Sequence, residues 1–132
     1  MENIIDTIQD RTDLSRFAHF IYETNFTDIL TGIGPYTVFA PINMAFSNLP
    51  KTALPKIERK SWANDIVSHH VLIGKYDLSD IKKSDEIRTM SNLELAVGRE
   101  DGKVLIGGAK IIRPNIECEN GIIHLIDIVL LS

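Results

Sequence analysis

At 132 residues, with 44% apolar and 24% charged side chains, the chain can bury roughly two-thirds of its unfolded surface and is not a disordered sequence. One domain over residues 1–132 is expected. A net charge of -4, a pI near 5.5 and only the short basic pairs Arg59-Lys60 and Lys82-Lys83 speak against nucleic acid as a partner.

A single cysteine, Cys118, rules out an internal disulfide and reads as a small buried hydrophobe. No run reaches the roughly 18 apolar residues of a membrane span. Met1-Glu2-Asn3 leads straight into structured pattern with no signal peptide. That leaves either a cytosolic chain or a trimmed mature domain.

Asn3 precedes Ile4, Ile5 and Ile8, a short helix with one apolar side. Asp13 is the expected N-cap of the next helix, where Leu14, Phe17, Ala18 and Ile21 recur at helical spacing. Gly32 and Gly34-Pro35 break the chain. Tyr36 to Ala40 reads as a buried strand stopped by Pro41. Asn43 to Leu49 reads as a helix capped by Asn43 and ended near Pro50. Ser61 is the expected cap of a helix whose Trp62, Ile66, Val67 and His70 line one side. Leu78 to Ile81 reads as a single turn.

The period then changes to two. Leu93, Leu95 and Val97 alternate, as do Val104 and Ile106. Gly98 to Gly102 and Gly107-Gly108 read as hairpin connections. Ala109 to Arg113 and Ile116 to Cys118 read as two further strands. Asn120-Gly121 is the strongest turn signal, because a type I′ turn needs positive φ at both central residues. The last strand, Ile122 to Leu131, is apolar on both faces, so it should be central and covered on both. Helices first and strands after imply an α+β fold.

Two segments and a short box between them carry the chemistry. The first is Thr37-Val38-Phe39-Ala40-Pro41-Ile42-Asn43-Met44-Ala45-Phe46: a strand, a proline stop, then a helix that Ala45 and Phe46 press onto the sheet. The second is Asn120-Gly121-Ile122-Ile123-His124-Leu125-Ile126-Asp127. His124 and Asp127 are polar among Ile and Leu, so each needs a hydrogen-bond partner. Three positions apart on a strand, they face opposite ways and cannot easily serve one substrate. Removing either should cost a few kcal/mol. Between the segments lie His69-His70-Val71-Leu72. Adjacent residues on a helix project about 100° apart, a poor chelating geometry. His70 therefore reads as a core histidine and His69 as surface. No metal, cofactor or catalytic residue is assigned, and no Gly-x-Ser-x-Gly, His-Glu-x-x-His or Gly-x-x-x-x-Gly-Lys-Ser motif occurs.

In this order the three boxes resemble the signatures of the fasciclin domain family, over Ile4 to Leu131. The resembling residues are Thr37, Phe39, Ala40, Pro41, Asn43, Phe46, His70, Asn120, Gly121, His124 and Asp127. The resemblance implies two twisted β-sheets forming a wedge with helices packed around it. It also implies a non-catalytic adhesion module, secreted or surface-displayed, that binds a cell-surface or matrix protein or polysaccharide. The compartment implied is extracellular, periplasmic or cell surface. The bare, cysteine-poor domain suits a prokaryotic member.

Several animal members bind integrin through an Asp-Ile motif just before the second box. The matching stretch here is Arg113-Pro114-Asn115-Ile116-Glu117, a candidate partner-binding segment. Asn115 stands where the motif has Asp, and the missing charge argues against integrin. The alternative is a carrier of a small apolar ligand, such as the carotenoids of some algal relatives. Its helix–sheet pocket would draw on Phe17, Phe20, Tyr22, Phe26 and Trp62.

Overall fold

The computed structural model describes residues 1–49 and 62–131. The expected cap at Ser61 lies outside them. Asn3 caps α1 (Ile4–Asp10) by accepting the Asp6 N–H at 2.8 Å, and the helix buries Ile4, Ile5 and Ile8. The expected cap at Asp13 does not form. Thr12–Leu14 make a 3-10 turn, and Asp13 instead closes a two-bond fork with Arg11 at 3.0 Å. Helix α2 (Ser15–Tyr22) follows, burying Phe17 and Ile21, then α3 (Phe26–Leu30).

Strand β1 (Tyr36–Pro41) runs into α4 (Asn43–Ser47). Next come α5 (Trp62–Ser68), β2 (Val71–Ile73) and α6 (Leu78–Lys82). A capping box between Asp77 and Asp80 starts α6, each carboxylate accepting a backbone N–H of the other. The remaining strands are β3 (Glu86–Arg88), β4 (Glu94–Glu100), β5 (Lys103–Ile106), β6 (Ala109–Cys118) and β7 (Gly121–Ile126).

The two expected sheets are joined in one seven-strand order, β2-β1-β7-β6-β5-β4-β3. β7 lies between β1, which it pairs in parallel, and β6, which it pairs antiparallel. All six β7 residues are buried. Alternation along β1 and β7 feeds two apolar clusters. Val38, Ala40, Ile123 and Leu125 pack with helix residues such as Ile4, Phe17 and Ile66. Phe39 and Ile126 pack with Leu72, Leu95, Val104 and Ile106. Residues from both ends of the strand order meet in this second cluster, so the sheet folds over around it. Met90 N–H donates to the Val71 carbonyl at 2.8 Å, tying the chain after β3 to the opposite edge strand.

Four local expectations differ from the structure. The strand-rich connections after Gly98 are tighter than expected: Gly98 is inside β4, and only Asp101-Gly102 form the hairpin turn, both with positive φ. Gly107-Gly108 turn the same way. The separate strands expected at Ala109 and Ile116 are one strand, β6, with register shifts on either side of Arg113. Proline is tolerated within a strand where such an irregularity interrupts the ladder.

The last strand ends at Ile126, so Asp127 is outside the ladder and half-buried. Finally, the turn at the second box is Glu119-Asn120, because Cys118 pairs with Gly121. Neither turn residue has positive φ. Gly121 opens β7 because a Cβ there would overlap the Tyr36 carbonyl oxygen and lie 2.9 Å from Ile4 Cδ1.

Candidate functional site

The polar residues of the boxes are spent on backbone. Asn43 does not cap α4, whose N-cap is Ile42 with no side-chain bond. Its Oδ1 instead accepts the Arg16 N–H at 2.9 Å, and its Nδ2 donates to the Thr12 carbonyl at 3.0 Å and to Ser15 Oγ at 2.9 Å. Arg16 is the second residue of α2, where a backbone donor has no intrahelical partner. Asn43 thus caps α2 from 27 residues away. Phe46 stacks on Phe20 with ring centroids 5.2 Å apart, which seats α4 against α2. Thr37, fully buried in β1, donates to the Gly74 carbonyl at 2.7 Å and accepts the Tyr76 N–H at 2.9 Å.

His70 is fully buried, edge-on to Phe17 at 5.6 Å. Nε2 accepts the Leu130 N–H at 2.9 Å, so Nδ1 carries the proton and donates to the Ile66 carbonyl at 2.5 Å. Burial drives its pKa down to about 3, because desolvation penalises the charged form. His69 Nδ1 is 2.7 Å from Ser91 Oγ, which in turn meets Thr89 Oγ1 at 2.8 Å.

Asn120 is buried and uses its whole amide. Oδ1 accepts the Ile4 N–H at 2.9 Å; Nδ2 donates to the Leu30 and Gly32 carbonyls at 2.7 and 2.8 Å. Its own carbonyl accepts the Tyr36 N–H at 3.0 Å. Asp127 Oδ1 accepts the Lys110 N–H at 2.8 Å, and its N–H returns a bond to the Lys110 carbonyl at 3.2 Å.

His124, with no exposed surface, stacks on Phe39 at 5.7 Å. Its Nδ1 accepts the Asn115 N–H at 3.1 Å and its Nε2 donates to the Tyr76 carbonyl at 2.8 Å. Burial lowers its pKa, opposed by the Tyr76 carbonyl and the Asp77 and Glu117 carboxylates. His70 belongs with the Phe17 cluster and His124 with the Phe39 cluster. The sheet separates them, and they form no common centre.

Among the described residues, no buried side-chain nitrogen or oxygen lacks a partner. No group of three or more His, Cys, Asp or Glu is placed to hold a metal, again among the described residues. Cys118 is buried with Sγ donating to Thr7 Oγ1 at 3.5 Å, and burial raises its pKa. Both facts disfavour a reactive thiol.

The candidate partner-binding segment is the irregular middle of β6. Arg113, Asn115 and Glu117 are exposed, while Pro114 and Ile116 are half-buried. Asn115 has φ 61, a left-handed conformation that Asn tolerates better than most residues. Its Oδ1 accepts the Leu78 N–H at 2.9 Å, docking the start of α6 on the bulge. Glu117 pairs with Lys75 at 2.6 Å. Sequence reasoning missed the Gly74–Asp77 loop, whose Lys75 pairs with Glu117 and whose Tyr76 carbonyl accepts from the His124 ring that holds Asn115. Its readable signal was the Asp77-x-x-Asp80 capping pattern.

A groove of roughly 480 Å3 lies among α2, α4 and the start of α5, with Phe20, Phe46, Leu49 and Trp62 on its walls and Arg16 and His19 beside it. It lies among helices, not between helix and sheet. Of the aromatics expected to line a pocket, Phe20 and Trp62 do so. Phe17 and Phe26 are core residues and Tyr22 is exposed. Among the described residues no helix is long and apolar enough to cross a membrane.

The fasciclin domain family model matches residues 12–132. The uncharacterized protein sll1735 of Synechocystis is 31% identical over 132 residues, covering 99% of this chain and 98% of its own. Protein sll1483 of the same organism is 30% identical over 131 residues, covering 97% of this chain and 72% of its own. In structure, the chain matches a FAS1 domain pair from the insect cell adhesion molecule Fasciclin I. The TM-score is 0.81 at 24% identity, over 99% of this chain and 51% of that one. With the family signature spread over nearly the whole chain and the fold shared, this protein belongs to the fasciclin domain family.

Proposed function

We propose that the chain, residues 1–132 acting as one domain, is a non-catalytic adhesion module. It would work at the cell surface, in the periplasm or outside the cell. It would bind a surface or matrix protein, or a polysaccharide, through Arg113, Pro114, Asn115, Ile116 and Glu117. One observation carries this reading. The box residues that look chemical, His70, His124 and Asp127, are committed to backbone bonds, whereas the segment that His124 holds exposes side chains of both charges. Exposed residues on a rigidly supported irregular segment are the usual carriers of binding. The adhesive role of Fasciclin I, which shares the fold, supports it further.

Asn115 has no negative charge to offer a metal-dependent receptor, and its oxygen is already engaged by Leu78. Integrin is therefore not the partner proposed. The test is adhesion of protein-coated beads to cells, immobilised matrix protein and immobilised polysaccharide. Arg113→Glu should abolish adhesion and leave the melting temperature unchanged. Adhesion that survives Arg113→Glu and Glu117→Lys together would refute the assignment.

The groove between α2, α4 and α5 favours a second reading, a carrier of a small apolar molecule. Its volume lies within the range of small-molecule sites, and Phe20 meets Trp62 at 4.8 Å and Phe46 at 5.2 Å on its wall. Uptake of an apolar fluorescent dye, lost in Phe20→Ser, would support it. Absence of uptake by the folded protein would exclude it.

A further inference from the structure

We propose that His124 is a proton-operated clasp on the docking segment, holding the Asn115 bulge in shape while its ring is neutral and releasing it when the ring takes a second proton. The inference builds on the docking reading above and adds its regulation.

The geometry fixes the tautomer. The Asn115 N–H points at Nδ1 from 3.1 Å, so Nδ1 carries no hydrogen. The proton sits on Nε2 and is donated to the Tyr76 carbonyl at 2.8 Å. A second proton has only Nδ1 to occupy, and there it would meet the Asn115 N–H head-on. Two donors cannot share one bond, so Asn115 must move away. Asn115 also receives the Leu78 N–H on its side chain at 2.9 Å. Displacing it therefore disturbs the first turn of α6 as well as the exposed segment. Ring, bulge and helix start form a closed loop: His124 to Asn115, Asn115 to Leu78, and along the chain through Asp77 back to Tyr76 and His124.

Among the described residues, two charged groups act on the ring. Asp77, ahead of α6, and Glu117, on β6, both favour the imidazolium. Glu117 is paired with Lys75. β1 contributes only the Phe39 ring. Burial outweighs the two carboxylates and keeps the ring neutral below the ordinary imidazole range. The bulge is thus held at neutral pH and released only when acid protonates the ring, below the ordinary imidazole range.

The experiment is a pH titration of the full chain by NMR, from about pH 7.5, above the ordinary imidazole value, down to the pH at which the chain unfolds. It follows the His124 ring nitrogens and the backbone amides. Nδ1 should protonate with a midpoint below the ordinary imidazole value. The Asn115 and Leu78 amides should shift with that same midpoint while β1 and β7 amides keep their protection. Asn115→Gly is the decisive variant. Glycine accepts the left-handed backbone and keeps the N–H donor, but lacks the side-chain oxygen. It should retain the response at position 115 and lose it at Leu78. A ring that titrates while both amides stay still overturns the proposal, as does a ring that stays neutral until the chain unfolds. No partner enters this measurement, so its failure is separate from failure of the docking reading, which the adhesion assay decides.

Discussion

The side chain of Asn120 accepts the backbone N–H of Ile4 across a sequence separation of 116 residues, at 2.9 Å and in a buried position. The same amide holds the carbonyls at the end of α3, so the helical layer and the sheet meet at one residue. Asn120→Ala would strand one donor and two acceptors. The expected loss is about 3 kcal/mol, since each unsatisfied buried group costs roughly 1–3 kcal/mol. Asn120→Asp should be no milder, because it would turn a carboxylate toward the Leu30 and Gly32 carbonyls. Urea denaturation of both variants checks this.

Gly121→Ala should be among the most damaging single changes. The added methyl meets the Tyr36 carbonyl oxygen, which β1 cannot withdraw without breaking its pairing with β7. A loss of more than about 3 kcal/mol is expected, as for severe overpacking. Thermal unfolding would report it, and an unchanged melting temperature would show that β1 yields freely.

Asn43→Ala should cost about 1 kcal/mol, the usual value of a lost N-cap. The damage should appear in α2, where hydrogen exchange at the Arg16 amide would quicken, with α4 little affected. A cap acting on its own helix would give the reverse pattern.

Asp127→Ala should cost only about 1 kcal/mol, the net worth of one hydrogen bond. The carboxylate is half-buried and satisfies one N–H, that of Lys110. This is milder than a fully buried strand position would imply, and a chevron or equilibrium melt would separate the two cases.

Stability should fall with acid. His70 titrates at about 3 when folded, against 6.5 for a free side chain. Below about pH 6.5 the unfolded chain therefore binds the proton more readily than the folded one. Stability is complete above that pH and is lost progressively as pH falls toward 3. Over the full interval the loss is on the order of 5 kcal/mol, and His124, shifted the same way, adds to it. Urea midpoints measured from neutral to acid pH should decline monotonically. His70→Gln should flatten most of the slope.

What could be read from the residues was whatever repeats locally. The helical spacing of Leu14, Phe17 and Ile21 marked α2, and alternation at Leu93, Leu95 and Val97 marked β4. The boxes marked the β1–α4 corner and the central β7. What could not be read was reach. Asn43 looks like the cap of the helix it opens, yet it is the first residue of α4 and its side chain serves α2, through bonds to Thr12, Ser15 and Arg16 that only the tertiary fold brings within reach. Asn120-Gly121 satisfies the chemistry of a tight turn equally well as it satisfies a close backbone approach. Packing against Tyr36 selected the second. Ala109 to Arg113 and Ile116 to Cys118 read as two strands because the irregularity that joins them across Pro114 and Asn115 is set by pairing with β7. The exposed segment was named from resemblance alone. That His124 supports it was hidden, since a histidine's two backbone partners lie 9 and 48 residues away.

The parallel pairing of β1 with β7 joins segments far apart in the chain. The β7-facing edge of β1 stays vacant until residues 121–126 have been synthesised and have returned past everything made in between. Closing so long an interval costs entropy before any pairing repays it. On the ribosome the nascent helices would therefore wait beside an unfinished ladder. A chain that stopped ahead of Gly121 would leave β1 with an open, sticky border rather than form a smaller working domain.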